Sequence, residues 1–297
     1  MLKQQLSRCV LFISRVLRID GYIPDRLYLQ MLYRRLLNKK LDLHSPKSFN
    51  EKMQWLKLYD RRPEYTTMVD KFAVKKYVAD MIGEEYIIPT LGKWDRPEDI
   101  EWDKLPEQFV LKCTHDSGGL VICRDKSKLD KQAAMDKLRF SLRRDYFKAG
   151  REWPYKDVPR QIMAEKYMED ATLVDLRDYK FFCFNGKVKV FKVDFDRHIE
   201  HHANYFDRTG KLLPYGENAC PPILDKQLSI PENLPQMIAL AEKLAKDKSF
   251  VRIDFYNINE HIYFGEITFF PAGGLGSFNK EEFDYMMGDW IQLPKNK

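Results

Sequence analysis

Glycine and proline are sparse in this sequence, 14 and 15 among 297 residues. That excludes a collagen-like triple helix and a low-complexity chain. Long apolar runs are missing as well. The longest early one, Cys9 to Ile13, falls far short of the ~20 residues needed to span a bilayer, and Ser14 and Arg15 interrupt it. No small-residue cleavage site follows, so no secretory signal peptide is expected. Cysteine is scarce and scattered. Cys9, Cys113, Cys123, Cys183 and Cys220 form no CxxC pair, which argues against a zinc ribbon or a disulfide framework and for reduced thiols in the cytoplasm. Neither GxGxxG nor GxxxxGK[ST] occurs, so the Rossmann and P-loop phosphate sites are absent. No convincing Ser/His/Asp or Cys/His set for covalent catalysis is visible. What is present is a globular composition, 44% hydrophobic and 32% charged, with enough chain for one large domain or two intimate ones.

The net charge of +6 is unevenly placed. Residues 1–40 hold nine Lys/Arg against Asp20 and Asp25, so the remainder is close to neutral. Nucleic-acid enzymes usually spread a basic footprint over the body, and no nucleic-acid partner is expected here. Leu2, Leu6, Cys9, Val10, Ile13, Val16 and Leu17 share one side of a helix over residues 2–17. Pro24 and Asp25 open a second helix to about Lys40, with Leu27, Met31, Leu32 and Leu36 on one face. Two readings stay open. The helices pack on the body with solvated basic faces, or residues 1–40 make a peripheral contact with the anionic inner face of a membrane.

Further along, Ser48 and Glu51 form a capping box for a helix carrying Met53, Trp55 and Leu56. A helix is expected over about 67–82, then strand-like 87–91, short strands 109–113 and 120–123, and a long polar helix over about 130–148. Strands follow at 161–165, 179–185 and 187–193, the last two joined by Asn185-Gly186, a strong hairpin signal. Residues 196–235 read as irregular. A helix over 232–248 precedes a hairpin of 251–256 and 262–269. Strands and helices mixed with hairpins indicate an α+β fold with antiparallel sheets, not an alternating βαβ array.

Two segments carry chemistry. Lys112 lies inside the apolar strand Phe109 to Cys113 and must send its ammonium to a partner or to water. The following loop, His115-Asp116-Ser117-Gly118-Gly119, has small residues whose backbone N–H groups can approach a polyphosphate. An ordinary turn with a solvent-facing lysine is the alternative. In Val251 to Gly274, a turn near residues 257–260 would set Asp254 and Glu266 side by side. Paired carboxylates suit magnesium when a nucleotide supplies further oxygens. Arg252 shares their face and could stabilise developing charge. The alternative is an ion-pair cluster on an exposed sheet. His198, His201 and His202 cluster in a charged stretch better suited to a loop than to a metal site. Trp94, Trp102 and Trp153 could stack on sugar rings but read first as packing residues.

Together these pieces resemble the ATP-grasp superfamily over residues 67–275. Asp70-Lys71 resembles its first ATP lysine, FVLK with HDSGG its second lysine and phosphate lid, and Met163 to Met168 its interlobe hinge. Arg177-Asp178-Tyr179-Lys180 resembles its charged strand, and VRIDF with GEITFFP its metal hairpin. Ser48 to Asp60, CTHDSGG, RDYKFFCFNGKV and Asn204 to Tyr215 are similar, more narrowly, to the TupA-like ATP-grasp proteins of teichuronopeptide, capsule and lipopolysaccharide biosynthesis. The resemblance implies a basic helical segment 1–66, a first lobe 67–172 and a second lobe 173–297. It implies ATP held by Lys71, Lys112, His115, Ser117, Gly118 and Gly119, with Glu165 on the ribose and Lys166, Tyr167 and Met168 on the adenine edge. Mg2+ would sit on Asp254, Glu266 and Thr268, where the family often has Asn in place of threonine. Arg252 and Lys180 would be the catalytic cations. The implied reaction is ligation of a small-molecule amine or amino acid to a carboxylate, such as that of a sugar acid, through an acyl phosphate. The competing readings are a glycosyltransferase and a non-catalytic nucleotide-binding scaffold at the membrane.

Overall fold

The computed structural model describes residues 20–169, 177–196, 200–226 and 228–295. The helix expected over 2–17 and His198 lie outside them. The described chain opens with helix α1 (Asp25–Leu37), ended by Asn38 in a left-handed conformation. Helix α2 (Phe49–Tyr59) starts at Ser48, whose hydroxyl accepts from the Glu51 N–H while the Glu51 carboxylate accepts from the Ser48 N–H. The capping box is therefore present as expected.

The single helix expected over 67–82 is two. Helix α3 (Glu64–Val69) stops at Asp70, which turns extended, and α4 (Ala73–Ile82) begins beyond it. The cause is local. The Asp70 carboxylate accepts from the N–H groups of Phe72 (2.8 Å) and Ala73 (3.2 Å) and so caps α4. The break leaves the Lys71 N–H free to bind the Thr114 carbonyl at 3.1 Å. The long polar helix divides in the same way into α5 (Lys131–Leu142) and α6 (Tyr146–Gly150), because Asp145 caps the second piece.

Strands β1 (Thr90–Trp94), β2 (Phe109–Cys113), β3 (Leu120–Cys123) and β4 (Ile162–Lys166) form one antiparallel sheet, in the order β1-β4-β2-β3. Strands β5 (Asp178–Phe184), β6 (Lys187–Phe195), β7 (His202–Asp207), β8 (Phe250–Ile258) and β9 (His261–Thr268) form a larger one, in the order β7-β6-β5-β8-β9. The α+β class and its antiparallel sheets thus hold. Asn185 and Gly186 both have positive φ, 49° and 78°, as a two-residue hairpin requires. One correction falls in 196–235: strand β7 lies inside the stretch that reads as irregular. Helix α7 (Leu234–Leu244) and helix α8 (Glu281–Trp290) complete the elements.

The large sheet explains both core and site. On one face Phe181, Phe191, Val251, Ile253 and Phe255 are buried in the main core with Met237, Ala241 and Leu244 of α7. Each such side chain contributes about 1.5–3 kcal/mol by leaving water. The other face changes character along its length. At one end Phe182, Phe184 and Phe250 pack with Phe49 of α2, and Tyr205 with Phe283 of α8. Further along, the same face carries Lys180, Lys192, Asp194 and Asp254.

Helix α2 is tied in by polar contacts that apolar periodicity does not reveal. Lys57 is fully buried and donates to Gln54 Oε1 (3.1 Å) and to the carbonyls of Gly150 (2.8 Å) and Gly273 (2.6 Å). Gln54 donates to the Gly274 carbonyl at 2.6 Å, and Lys52 to those of Gly288 (2.8 Å) and Ile291 (3.0 Å). Helix α1 is held by Arg151, which lies 4.2 Å over the Tyr28 ring and 3.2 Å from Asp25. No described helix is long and apolar enough to cross a membrane.

Candidate functional site

The small sheet supplies one wall of a cleft. Along β2, Phe109, Leu111 and Cys113 are buried with Ala134 and Leu138 of α5, which leaves Lys112 on the opposite face. Its ammonium meets one Glu165 oxygen, and Lys75 of α4 meets the other at 2.6 Å. Burial opposes the Glu165 charge, but the two lysines prevail and hold its carboxyl below the usual range. Burial likewise opposes the Lys112 charge, yet Glu165 beside it pushes the ammonium up. Lys71, placed in the gap between α3 and α4, donates to the carbonyls of Cys113 (3.1 Å) and Asp116. Burial lowers its pKa.

The loop after β2 turns on its glycines. Gly118 has φ +105°, and a Cβ at Gly119 would stand 2.8 Å from Asp116 Oδ1, with Ser141 Oγ closer still. Ser117, Gly118 and Gly119 border the cleft. His115 does not: its Nε2 faces the Arg144 carbonyl at 3.2 Å, among buried groups.

The large sheet supplies the opposite wall. Lys192, Lys180, Asp254 and Glu266 are direct cross-strand partners in one row over β6, β5, β8 and β9. Lys180 binds Asp178 and, at 2.9 Å, Asp254 Oδ2. Arg252 donates from Nε to Asp254 Oδ1 and from Nη2 to Asp254 Oδ2, both at 2.6 Å, and from Nη2 to Glu266 Oε1 at 2.6 Å. Thr268 Oγ1 donates to the same Glu266 oxygen at 3.1 Å. Burial raises Asp254, to about 6, against Arg252 and Lys180. Enclosure also works against the Glu266 charge, but Arg252, Lys180 and Lys71 hold it down at about 2.

This donor set fits magnesium. Asp254 and Glu266 are adjacent hard oxygen donors. Asp254 is 1% exposed and its oxygens already serve two cations. The Glu266 side chain is 46% exposed, and only its Oε1 is engaged among the described residues. Among the described residues no group of three or more His, Cys, Asp or Glu could hold a metal by protein ligands alone. The carboxylate pair therefore needs oxygens from a bound molecule to complete a coordination shell.

Two cavities meet at this point. One, of about 330 Å³, is bordered by Lys75, Lys112, Glu165, Lys180, Asp194 and Asp254. The other, of about 510 Å³, is bordered by α1 (Leu32, Arg35), by Tyr146, Glu152 and Tyr155, and by Arg252 and Thr268. Lys71, Asp116, Ser117, Gly265 and Glu266 border both. A charged group in the first cavity would lie next to a reacting group in the second.

The structure brings together Lys71, Lys112, Ser117, Gly118, Gly119, Glu165, Lys180, Asp254 and Glu266 around the first cavity. Arg252 and Thr268 face the second. Lys166 and Tyr167 instead border a separate depression with Arg124 and Asp125, and the Lys166 N–H donates to the Pro89 carbonyl at 3.0 Å. Met168 borders none of these cavities. The first cavity also takes in Lys75, Asp194 and Tyr256, which lie outside the sequence motifs. Lys75 carried a signal, since a continuous helix over 67–82 would set it one turn after Lys71, on the same face.

A family model described as TupA-like ATPgrasp matches residues 51–292. Among solved structures, the chain is similar to D-alanine–D-alanine ligase from Bacillus anthracis (18% identity, 68% of this chain, 57% of that chain, TM-score 0.39). It is similar to the D-alanine–D-alanine ligase from Helicobacter pylori (14%, 86% and 70%, 0.45) and to phosphoribosylamine–glycine ligase from Thermotoga maritima (13%, 69% and 48%, 0.42). It thus spans little more than half of the Bacillus enzyme. A search of curated protein sequences gives no match.

Proposed function

The chain belongs to the TupA-like ATP-grasp family, and from that premise we propose that it is an ATP-dependent carboxylate–amine ligase working through an acyl phosphate. The observation that carries this reading is the junction of the two cavities at Lys71, Ser117 and Glu266. ATP takes the cavity bordered by Lys71, Lys75 and Lys112, three cations on one wall against Glu165 and Asp116. The glycine loop offers backbone N–H groups without side chains in the way. Magnesium held by Glu266 and Asp254 would neutralise charge on the terminal phosphates.

The acceptor carboxylate lies in the larger cavity. Its oxygen attacks the terminal phosphorus, the bond to the bridging oxygen of ADP breaks, and an acyl phosphate forms. An amine then attacks the activated carbonyl, phosphate leaves, and the nitrogen loses a proton. Arg252, fixed on three carboxylate oxygens, lines the larger cavity and would stabilise charge developing on the carbonyl oxygen. No protein nucleophile is required. We take the carboxylate to be that of a uronic-acid-type sugar in surface polysaccharide biosynthesis. The TupA-like membership supports this substrate class, and the polar and aromatic lining of the larger cavity (Tyr146, Tyr155, Arg252) suits such a molecule.

The test is to supply Mg-ATP, a uronic acid or its glycoside, and hydroxylamine. ADP and a hydroxamate are expected. AMP with pyrophosphate would mean adenylation and would overturn the assignment. ADP release with other carboxylic acids but with no uronic acid would remove the sugar-acid substrate alone.

A further inference from the structure

Two charged side chains that border the larger cavity make no ion pair within 4 Å among the described residues. Glu152, just after α6, is 7% exposed and borders the cavity. Among the described residues its carboxylate makes no hydrogen bond and no ion pair within 4 Å, and Lys57 is the cation whose charge acts on it. The nearest buried cation, Lys57, is already committed to Gln54, Gly150 and Gly273. The space against Glu152 Oε1 is kept open by glycine: a Cβ at Gly150 would stand 3.0 Å from it, and one at Gly273 3.6 Å. Burial raises the Glu152 pKa and Lys57 lowers it, leaving it at about 7. Burying a carboxylate whose nearest cation stays beyond hydrogen-bond reach is costly, and such perturbed groups cluster at functional sites.

The second charge is Arg35 on α1. It borders the same cavity, is half-buried, and has no carboxylate within 4 Å among the described residues. Apolar side chains, including Leu32, Met68 and Ile267, line the same cavity. One open carboxylate and one open guanidinium in a single cavity form a complementary receptor for a zwitterion. Neither residue belongs to a sequence motif.

We infer that Glu152 and Arg35 hold the amine substrate of the reaction, that this substrate is an amino acid, and that Glu152 receives its ammonium and Arg35 its carboxylate. The inference deepens the ligase reading and rests on it for the word substrate, while the binding site stands on the cavity alone. It gives α1 a place in the site: the helix carries the selectivity for a free carboxylate on the amine.

The test is ligand-observed saturation-transfer NMR on the full chain with Mg-ADP bound, using the common protein amino acids singly as probes. At least one is expected to bind. Glu152→Gln should weaken that binding ten- to a hundredfold, the range for a charge-assisted contact, with Mg-ADP affinity unchanged. Arg35→Gln should weaken the same amino acid at least tenfold and leave its carboxamide as weakly bound as in the parent protein. Arg35 borders the cavity from a half-buried position, so its variant decides the matter if Glu152→Gln fails to fold. Absence of amino-acid binding by the parent protein, or parent-like affinity in both variants, overturns the inference. Hydroxamate formation without amino-acid binding would sink this inference and leave the ligase reading intact. Amino-acid binding without ADP release under any carboxylate would support the site and remove the ligase reading.

Discussion

The two walls of the smaller cavity differ in their balance of charge. On the small-sheet side three lysines, Lys71, Lys75 and Lys112, face two carboxylates, Glu165 and Asp116. On the large sheet four carboxylates, Asp178, Asp194, Asp254 and Glu266, are interleaved with Lys180, Lys192 and Arg252. The first wall has cations to spare and suits an anion directly. The second has anions to spare and suits an anion only through a bridging cation. A polyphosphate between them would touch ammonium groups on one side and a metal on the other. The difference has a structural origin. The small-sheet cations come from a strand, a helix and a helix break, whereas the large-sheet groups come from directly paired strand positions and are locked together.

The interlocked wall should be the more sensitive to a single change. Lys180→Met removes the cation between Asp178 and Asp254 and leaves buried carboxylates facing one another. We expect a loss of about 3–5 kcal/mol in stability, read by denaturant unfolding. A loss below about 1 kcal/mol would show that the carboxylates take up protons or repack at little cost. Next comes Glu266→Gln, which removes the exposed charge of the pair. ADP release should fall by about 10²–10³, the size of a lost electrostatic contact to a transition state, with ATP affinity much less affected. Raising magnesium should not restore the rate.

The small-sheet wall should respond more mildly. Lys112→Ala is expected to weaken ATP binding by about 1.5–3 kcal/mol in calorimetry without unfolding the chain, because Lys75 remains on Glu165. Unchanged affinity would remove Lys112 from the phosphate assignment. The smallest effect belongs to neither wall. Ser48→Ala deletes the cap of α2 and should lower stability by about 1 kcal/mol while leaving ATP affinity alone.

How much of this was legible depends on whether a feature is local. The Asp254–Glu266 pairing could be read because both residues lie on one hairpin, and the observed register sets them directly opposite. The glycine loop and the Asn185-Gly186 turn could be read because their backbone demands are met by adjacent residues. Asp70 and Asp145 were visible as residues, but helical periodicity ran through them and concealed two caps. Strand β7 was missed because its pairing partner lies on another segment and its flanks are polar. Glu152 and Arg35 gave no signal at all. They are 117 positions apart in sequence, and only the docking of α1 brings them to one cavity.

The buried Lys57 ammonium has a consequence for the birth of the chain. It lies in the first fifth of the sequence, yet two of its three acceptors are the carbonyls of Gly150 and Gly273, 93 and 216 positions later. At ribosomal speeds of about 5–20 residues per second, the last of these emerges roughly 10–40 s after Lys57 itself. During that interval α2 can coil and keep its cap, but its Lys57 ammonium stays in water because burying it without these acceptors would be costly. Helix α2 is thus seated only after a segment more than 200 positions further along has emerged.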